Sequence, residues 1–305
     1  MNRIALQGVK VYINEYVDAL RKDDLPVKVD MQHECCSTMD MQLAVIFILT
    51  FLIHLVGTLA YAARIAGART GRIAVSFALF NILILISRTS NSFQSPLLAK
   101  RIEENLHAGM TAAAETDFRW LLLAASLATI AGALLIPTFQ RLFGKAVAAF
   151  SIYRSVPRLL FHAFSKSGVA HIRDSMRIPA RENINNFTSA RPLPIKILLF
   201  NIIAMAIWTV GVFAPLYAGY LNPDLRLTSS NLSAIVNGVA TILMFIFIDP
   251  YLSVLTDDLV EGKMSDSAFR RVIVWLVGSR LAGTIVAQII LLPATVLIVK
   301  VAELL

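Results

Sequence analysis

The sequence predicts an all-α, polytopic integral membrane protein: a bundle of about six transmembrane helices with one long basic cytoplasmic loop. Hydrophobic residues make up 57% of the chain and charged residues only 16%, and the mean hydropathy is +0.68. Six apolar runs approach the roughly 20 residues that a helix needs to cross a bilayer. A βαβ pattern and the alternating pattern of barrel strands are both missing, which argues against a β-barrel.

The predicted spans are separated by polar turns and differ in length. They are approximately Met41–Ala63, Ile73–Ser87, Trp120–Phe139, Ile197–Leu221, Leu232–Tyr251 and Val272–Val299. The second is short for a hydrocarbon core of about 30 Å, so it either extends past Arg88 toward Asn91 or re-enters with the first. The last is long enough to tilt.

The first 40 residues differ from the rest of the chain. They hold seven acidic and five basic residues and no long apolar run. We therefore predict a polar N-terminal tail over residues 1–40, unless the true start is Met39 or Met41, and a single transmembrane domain over residues 41–305. Cys35 and Cys36 lie in this segment with His33 and Asp40. Because adjacent cysteines lack the spacing of structural zinc sites, we expect free thiols and no metal.

The basic residues predict an orientation. If the spans alternate, one side of the membrane receives 16 Lys and Arg residues and the other 11. The excess comes from the basic loop over residues 140–196, whose surface helices we expect on the cytoplasmic leaflet, with both termini outside. The net charge of +8 then reflects attraction to anionic membrane lipids rather than to nucleic acid.

Arginines recur in or beside the apolar runs, and they indicate an anionic ligand. Buried guanidinium groups in lipid are costly and usually face a bundle interior or a wet cavity, and Arg is well shaped to bind phosphate. The candidates are Arg64, Arg69, Arg72, Arg88 and Arg280. Polar residues at helical spacing in the same spans predict a cavity lining, although hydrogen bonds between packed helices are the alternative for any one of them. They are His54, Asn81, Asn91, Asp249, Thr284 and Gln288.

Two of these charged residues are expected to pair. Asp249 and Arg280 lie on consecutive antiparallel spans at similar depth, so an ion pair would offset the cost of burying both. Nucleotide-binding and hydrolase motifs are missing from the chain. We therefore expect a transporter without cofactor, driven by a gradient or by consumption of its product.

The stretch FLIHLVGTLAYAARIAGARTGRIAVSFALFNILILISRTSNSFQSPLL, residues 51–98, resembles the signature region of the Amj family. These are bacterial lipid II flippases named as an alternative to MurJ. The resemblance extends from about Met41 to the C-terminus and is most specific between His54 and Pro96. It implies a multi-pass protein of the bacterial inner membrane that moves undecaprenyl-diphosphate-linked disaccharide peptide to the outer leaflet.

The implied substrate matches the arginine pattern. We assign Arg64, Arg69, Arg72 and Arg88 to the diphosphate, with Arg280 in the same cavity. Asn81, Asn91, Thr284 and Gln288 would contact sugar or peptide. Two alternatives remain open. One is a membrane enzyme acting on a polyprenyl phosphate with His54 and Asp249 as acid and base, and the other is a non-catalytic membrane scaffold, which leaves the intramembrane arginines unexplained.

Overall fold

A computed structural model describes residues 40–107, 111–153, 175 and 193–305. Everything described below belongs to one compact unit within residues 39–305. The predictions for the N-terminal tail, for Cys35 and Cys36, and for most of the basic loop lie outside the described residues.

Eight α-helices form the described part of the chain. They are α1 Met41–Thr70, α2 Ile73–His107, α3 Thr111–Tyr153, α4 Ile195–Val210, α5 Phe213–Leu221, α6 Arg226–Leu243, α7 Asp249–Val260 and α8 Asp266–Leu304. A 3₁₀ turn at Pro223–Leu225 leads into α6, and a π-helical turn at Met244–Ile248 joins α6 to α7. No strand forms within these ranges.

The described helices provide up to six candidate membrane spans. Five helical segments are long and apolar enough to span a bilayer, and α4 with α5 makes a sixth span that is bent by 46°. The prediction of a polytopic helical membrane bundle is confirmed. The short second span is one continuous helix of 35 residues, about 52 Å long at 1.5 Å per residue, so it is long enough to cross fully.

The first part of the predicted basic loop, residues 140–153, is helical, because α3 continues to Tyr153. Residues 141–150 include Leu, Lys and three Ala, which favour a helix in water as well as in lipid. The apolar run that marks a span ends at the membrane surface, whereas residues with high helix propensity continue beyond it, so the helix is longer than the run.

Two caps fix the ends of α1. At its start, the Asp40 carboxylate accepts a hydrogen bond of 2.8 Å from the Leu43 amide, a typical N-cap. At its end, Gly71 adopts φ 65°, and its amide and that of Arg72 donate to the Ala68 and Gly67 carbonyls. This is a Schellman motif, which ends the helix in a left-handed residue that glycine adopts without strain. We call the two sides of the bundle the Asp40 end and the Gly71 end.

The helices pack as two groups. In the first group α1 packs against both α2 and α3, and in the second α8 packs against α4 and α5 while α6 packs against the same two helices. The groups meet where α3 contacts α8, α1 contacts α7 and α2 contacts α5. We call this interface between α1–α3 and α4–α8 the seam.

Apolar side chains close the seam near both ends. Near the Asp40 end, Leu43, Phe118, Phe213 and Leu291 belong to one core that draws on both groups. Near the Gly71 end, a second core also draws on both groups, with Tyr61, Ile65, Leu198, Leu252 and Phe269 among its members. The residues between these two cores are the ones that hold the candidate site.

Candidate functional site

A layer of polar side chains crosses the seam between the two apolar cores. We call it the polar belt. Its buried members are Thr50, His54, Gln94, Asn201, Thr209, Ser279 and Arg280, and the half-buried Asn91 and Asn237 complete it. His54 is 14 residues from Asp40 along α1, about 21 Å at helical rise, so the belt lies in the middle of the spans.

Arg280 is the charged residue of the belt, and it lacks an acidic partner among the described residues. Its side chain is buried, with a relative exposure of 8%. Within the described part of the chain it makes one hydrogen bond, from Nη1 to the Met205 sulfur at 3.1 Å, and its Nε has no acceptor. Sulfur is a weak acceptor, so five N–H donors are almost uncompensated. Burying such a cation is expensive unless a ligand or water satisfies it.

Arg280 extends from α8 across the seam to α1. A Cβ placed on Gly57 would lie only 2.3 Å from its Nη2 atom. Glycine at this position therefore lets the guanidinium approach the α1 backbone closely. His54 is three residues earlier on the same face of α1, so the two groups face the same part of the seam.

His54 lines a small cavity in the belt. The imidazole is buried, and its Nδ1 has no hydrogen-bond partner in the described part of the chain. The cavity has a free volume of about 20 Å³, room for about one water molecule. Its polar lining comes from both groups of helices: Thr50, His54, Asn91 and Gln94 from the first group, and Thr209 and Asn237 from the second.

Two ion pairs cross the seam at the Gly71 end. Arg64 Nη2 lies 2.9 Å from Asp249 Oδ1, and Arg69 Nη2 lies 2.8 Å from Asp266 Oδ2. Arg64 also stacks over the Phe77 ring at 5.0 Å from its centroid. Arg72 is exposed next to them. Two arginines of α1 and two aspartates, one each from α7 and α8, thus meet at one end of the seam.

The predicted pairing of Asp249 with Arg280 is wrong. Asp249 pairs with Arg64 instead. The π-helical turn at Met244–Ile248 directly precedes Asp249. Such a turn holds an extra residue and rotates everything after it by roughly 100° relative to a regular α-helix. Arg64, the partner of Asp249, is ten residues from His54 along α1, about 15 Å at helical rise. Asp249 and His54 therefore do not meet at one phosphate as the enzyme alternative requires.

The continuous α2 helix places Asn81, Arg88, Asn91 and Ser95 within one arc, as the spacing predicts. Asn91 lines the cavity, and Phe77 on the same arc contacts Arg64. Arg88 and Asn81 are exposed, and Arg88 has no ion-pair partner among the described residues. The arc therefore runs from the Gly71 end toward the belt.

Thr284 and Gln288 lie away from the cavity, in the contact between α3 and α8. Thr284 is buried and accepts a hydrogen bond from Ser126 at 3.1 Å. Gln288 donates to the Arg119 carbonyl at 3.1 Å, and Arg119 donates to the Gln288 carbonyl in return. In this arrangement both side chains are held by the seam rather than presented to a ligand.

Sequence reasoning missed an ionic cluster at the Asp40 end. Arg101 on α2 bridges Asp117 on α3 and Asp40 at the start of α1, both at 2.5 Å. Burial alone would raise the pKa of the Asp40 carboxyl, but hydrogen bonds from Arg101 and the Leu43 amide hold that pKa below its usual range. All three residues belong to the first group of helices, so the cluster joins α1, α2 and α3 without crossing the seam.

Thr50 and Gln94 were also missed. The Gln94 amide donates to the Thr50 hydroxyl at 2.6 Å, joining α2 to α1 at the wall of the cavity. The signal was present: Thr50, His54 and Thr58 are spaced four apart, and Gln94 follows Asn91 by three. Extending each polar stripe by one turn would have found both.

The fold and site together define a multi-pass helical membrane protein with a buried, cation-containing polar layer between two groups of helices. The family model described as "Amj: Alternate to MurJ" matches residues 49–302. The chain is also 36% identical over 262 residues to the protein named "Lipid II flippase Amj" of Bacillus subtilis (strain 168), covering 83% of this chain and 93% of that protein. No solved structure matches the chain significantly. The chain belongs to the Amj family, and the predicted family is confirmed.

Proposed function

We propose that this protein is a lipid II flippase, which moves the polyprenyl-diphosphate-linked disaccharide peptide from the cytoplasmic to the outer leaflet of the bacterial inner membrane. The relative that covers most of the chain carries the name of a lipid II flippase. The observation that carries the proposed site is Arg280, a guanidinium buried in the middle of the spans with no carboxylate partner in the described ranges. A diphosphate would supply the acceptors that the protein leaves out.

The shape of the guanidinium suits this ligand. Its planar fork donates two parallel hydrogen bonds to phosphate oxygens, which a Lys ammonium does not reproduce. Because the protein already bears the cost of burying the cation, binding an anion there recovers free energy instead of spending it. Buried charges without structural partners are typical of functional sites.

The headgroup would enter at the Gly71 end, which the excess of basic residues assigns to the cytoplasm. Arg64, Arg69 and Arg72 lie at that entrance, and Arg88 and Asn81 on the exposed arc of α2 lead toward Asn91 and the belt. In our proposal these residues transfer the diphosphate to Arg280. Arg64 and Arg69 release their carboxylate partners, Asp249 and Asp266, as the diphosphate arrives.

Transport requires the seam to open. The cavity has room for about one water, whereas the substrate carries a disaccharide and a peptide. We therefore propose that the two groups of helices rock apart at one end and then at the other, as in alternating access. Thr284 and Gln288 would become available to the sugar or peptide when α3 separates from α8.

The test is translocation of fluorescent lipid II in liposomes that contain only the purified protein. We expect transport by the wild type and a loss of at least tenfold in Arg280→Met, and a smaller loss in Arg88→Ala. Arg141→Met is the matched control, because Arg141 is an exposed arginine of α3 outside the seam, and it should transport normally.

The outcomes separate the function from the site. Transport that survives Arg280→Met in folded protein would keep the flippase and remove Arg280 from it. No transport by folded wild-type protein, with or without an imposed ion gradient, would refute the proposed function and favour a scaffold role.

A further inference from the structure

His54 is a titratable group close to Arg280 that has no role in the proposed binding of the diphosphate. Histidine is the side chain whose unperturbed pKa lies nearest neutrality, so it gains or loses charge under physiological conditions. Here the ring is buried in the polar belt, and its Nδ1 has no partner within residues 40–107, 111–153 and 193–305. The ring borders a cavity with room for one water. A water in that cavity would connect the imidazole to the hydroxyl and amide groups around it.

The groups that face His54 are neutral with one exception. Its own helix presents Thr50, with Thr58 and Tyr61 further along the same helix face, and α2 presents Asn91 and Gln94. The helices of the second group present Trp208, Thr209, Phe213 and Asn237, and α8 presents Arg280. Arg64 lies ten residues along α1 and is paired with Asp249. Among the described residues, Arg280 is thus the one formal charge that acts on His54 at close range.

The charge of the ligand exceeds the charge of this site. A diphosphate diester carries two negative charges at neutral pH, whereas Arg280 supplies one positive charge. Moving an uncompensated charge through the low-dielectric middle of a membrane is costly. A protonated His54 would bring the positive charge of the belt to two and balance the diphosphate.

The same electrostatics makes protonation depend on the ligand. With the belt empty, a charge on His54 would be repelled by Arg280. With a dianion bound at Arg280, the imidazolium would be attracted instead. We infer that His54 is a proton-binding site coupled to the anion site at Arg280, so that one proton is taken up when the diphosphate binds and is released when it leaves. The inference rests on the proposed function, because the diphosphate is the anion.

Coupling of this kind is reciprocal. If lipid II raises the affinity of His54 for a proton, then protonation must raise the affinity of the protein for lipid II. The affinity should therefore increase as the pH falls, by at most about tenfold per pH unit for one proton. The proton enters from the water on the side where the headgroup enters and leaves to the water on the side where it is released.

The experiment is proton uptake by the full-length protein in lipid nanodiscs, followed with a pH indicator in weak buffer as lipid II is added. We expect up to one proton per bound lipid II for the wild type at pH 7.5 to 8. In His54→Gln, lipid II should still bind, with lower affinity. The proton uptake should be lost, and between pH 6 and 8 the lipid II affinity should vary with pH only as far as the ligand's own titration requires. His107→Gln is the matched control, because His107 is exposed at the end of α2.

Two failures are distinguishable. Lipid II binding by the wild type without proton uptake, or with the same uptake in His54→Gln, overturns the coupling and leaves the flippase proposal in place. No lipid II binding at any pH overturns the proposed function and the coupling together. The wild-type measurement requires no variant, so a His54→Gln protein that misfolds does not prevent a decision.

Discussion

Replacing Arg280 with Met should separate transport from stability. Arg280 makes one hydrogen bond to a sulfur, worth about 1 kcal/mol at most, while the protein bears a desolvation cost of several kcal/mol for a buried ion. Met has a similar length and adapts well to irregular packing beside Met205. We therefore expect Arg280→Met to be neutral or to stabilise the fold by up to about 4 kcal/mol, and to abolish transport.

Arg101→Met provides the comparison. Arg101 is also a buried arginine, but it bonds to both Asp40 and Asp117. Its removal leaves the Asp117 carboxylate, 3% exposed, buried without a cation. Breaking a buried pair in this way costs about 3–5 kcal/mol. Two substitutions with the same change in side chain should thus move stability in different directions.

The assay is unfolding of the purified variants in nanodiscs of one lipid composition, followed by thermal midpoint, with lipid II translocation measured on the same preparations. We expect Arg280→Met to unfold at or above the wild-type midpoint and Arg101→Met several degrees below it. If Arg280→Met lost as much stability as Arg101→Met, Arg280 would be a structural residue and the argument from its missing partner would be refuted.

Three further changes follow from the geometry. Gly57→Ala should reduce transport while changing stability by less than about 1 kcal/mol. The added Cβ would lie 2.3 Å from Arg280 Nη2 and so displaces the guanidinium, which is the end of a flexible side chain. Unchanged transport would count against the close approach. Double-mutant cycles on the free energy of unfolding should give a coupling of about 0.5–1 kcal/mol between Arg64 and Asp249. The cycle for Arg280 and Asp249 should give no coupling. The reverse result would restore the pairing expected from sequence. Asp40→Asn should lower stability more at pH 7 than at pH 3. The folded pKa of Asp40 lies below the unfolded value near 3.8, so its stabilisation is present above that value and is lost as the pH falls through the folded pKa. An equal difference in melting temperature at both pH values would contradict it.

The helical bundle could be predicted because the hydropathy of each span is summed over many residues. Each apolar run exceeds what a soluble helix needs, so the number and order of the spans follow from hydropathy alone. The limits of the helices were less predictable. The α2 helix continues through Arg88, Ser92 and Pro96 to His107, since a helix does not end where its apolar run ends.

The site was predictable in its residue types but less so in its partners. Arg280 and His54 were identified because charged and titratable groups are rare at membrane depth. The partner of Asp249 was not, because a single π-helical turn changes which face follows it. The Arg101 cluster escaped notice because its three members lie near helix ends, where charged residues are ordinary and sequence gives no hint that they are buried.

The distribution of ion pairs supports a bundle that opens at the seam. Within the first group of helices, Arg101 and Asp117 are 9% and 3% exposed, and breaking such a pair costs several kcal/mol. Across the seam the carboxylates are open to solvent: Asp249 is 42% exposed, Asp266 49%, and Glu103, 3.6 Å from Arg226 at the Asp40 end, 50%. Exposed pairs of this kind contribute about 1 kcal/mol or less. The strong ionic contacts therefore hold α1, α2 and α3 together as one body, while the ionic contacts that must break for a headgroup to pass are weak at both ends.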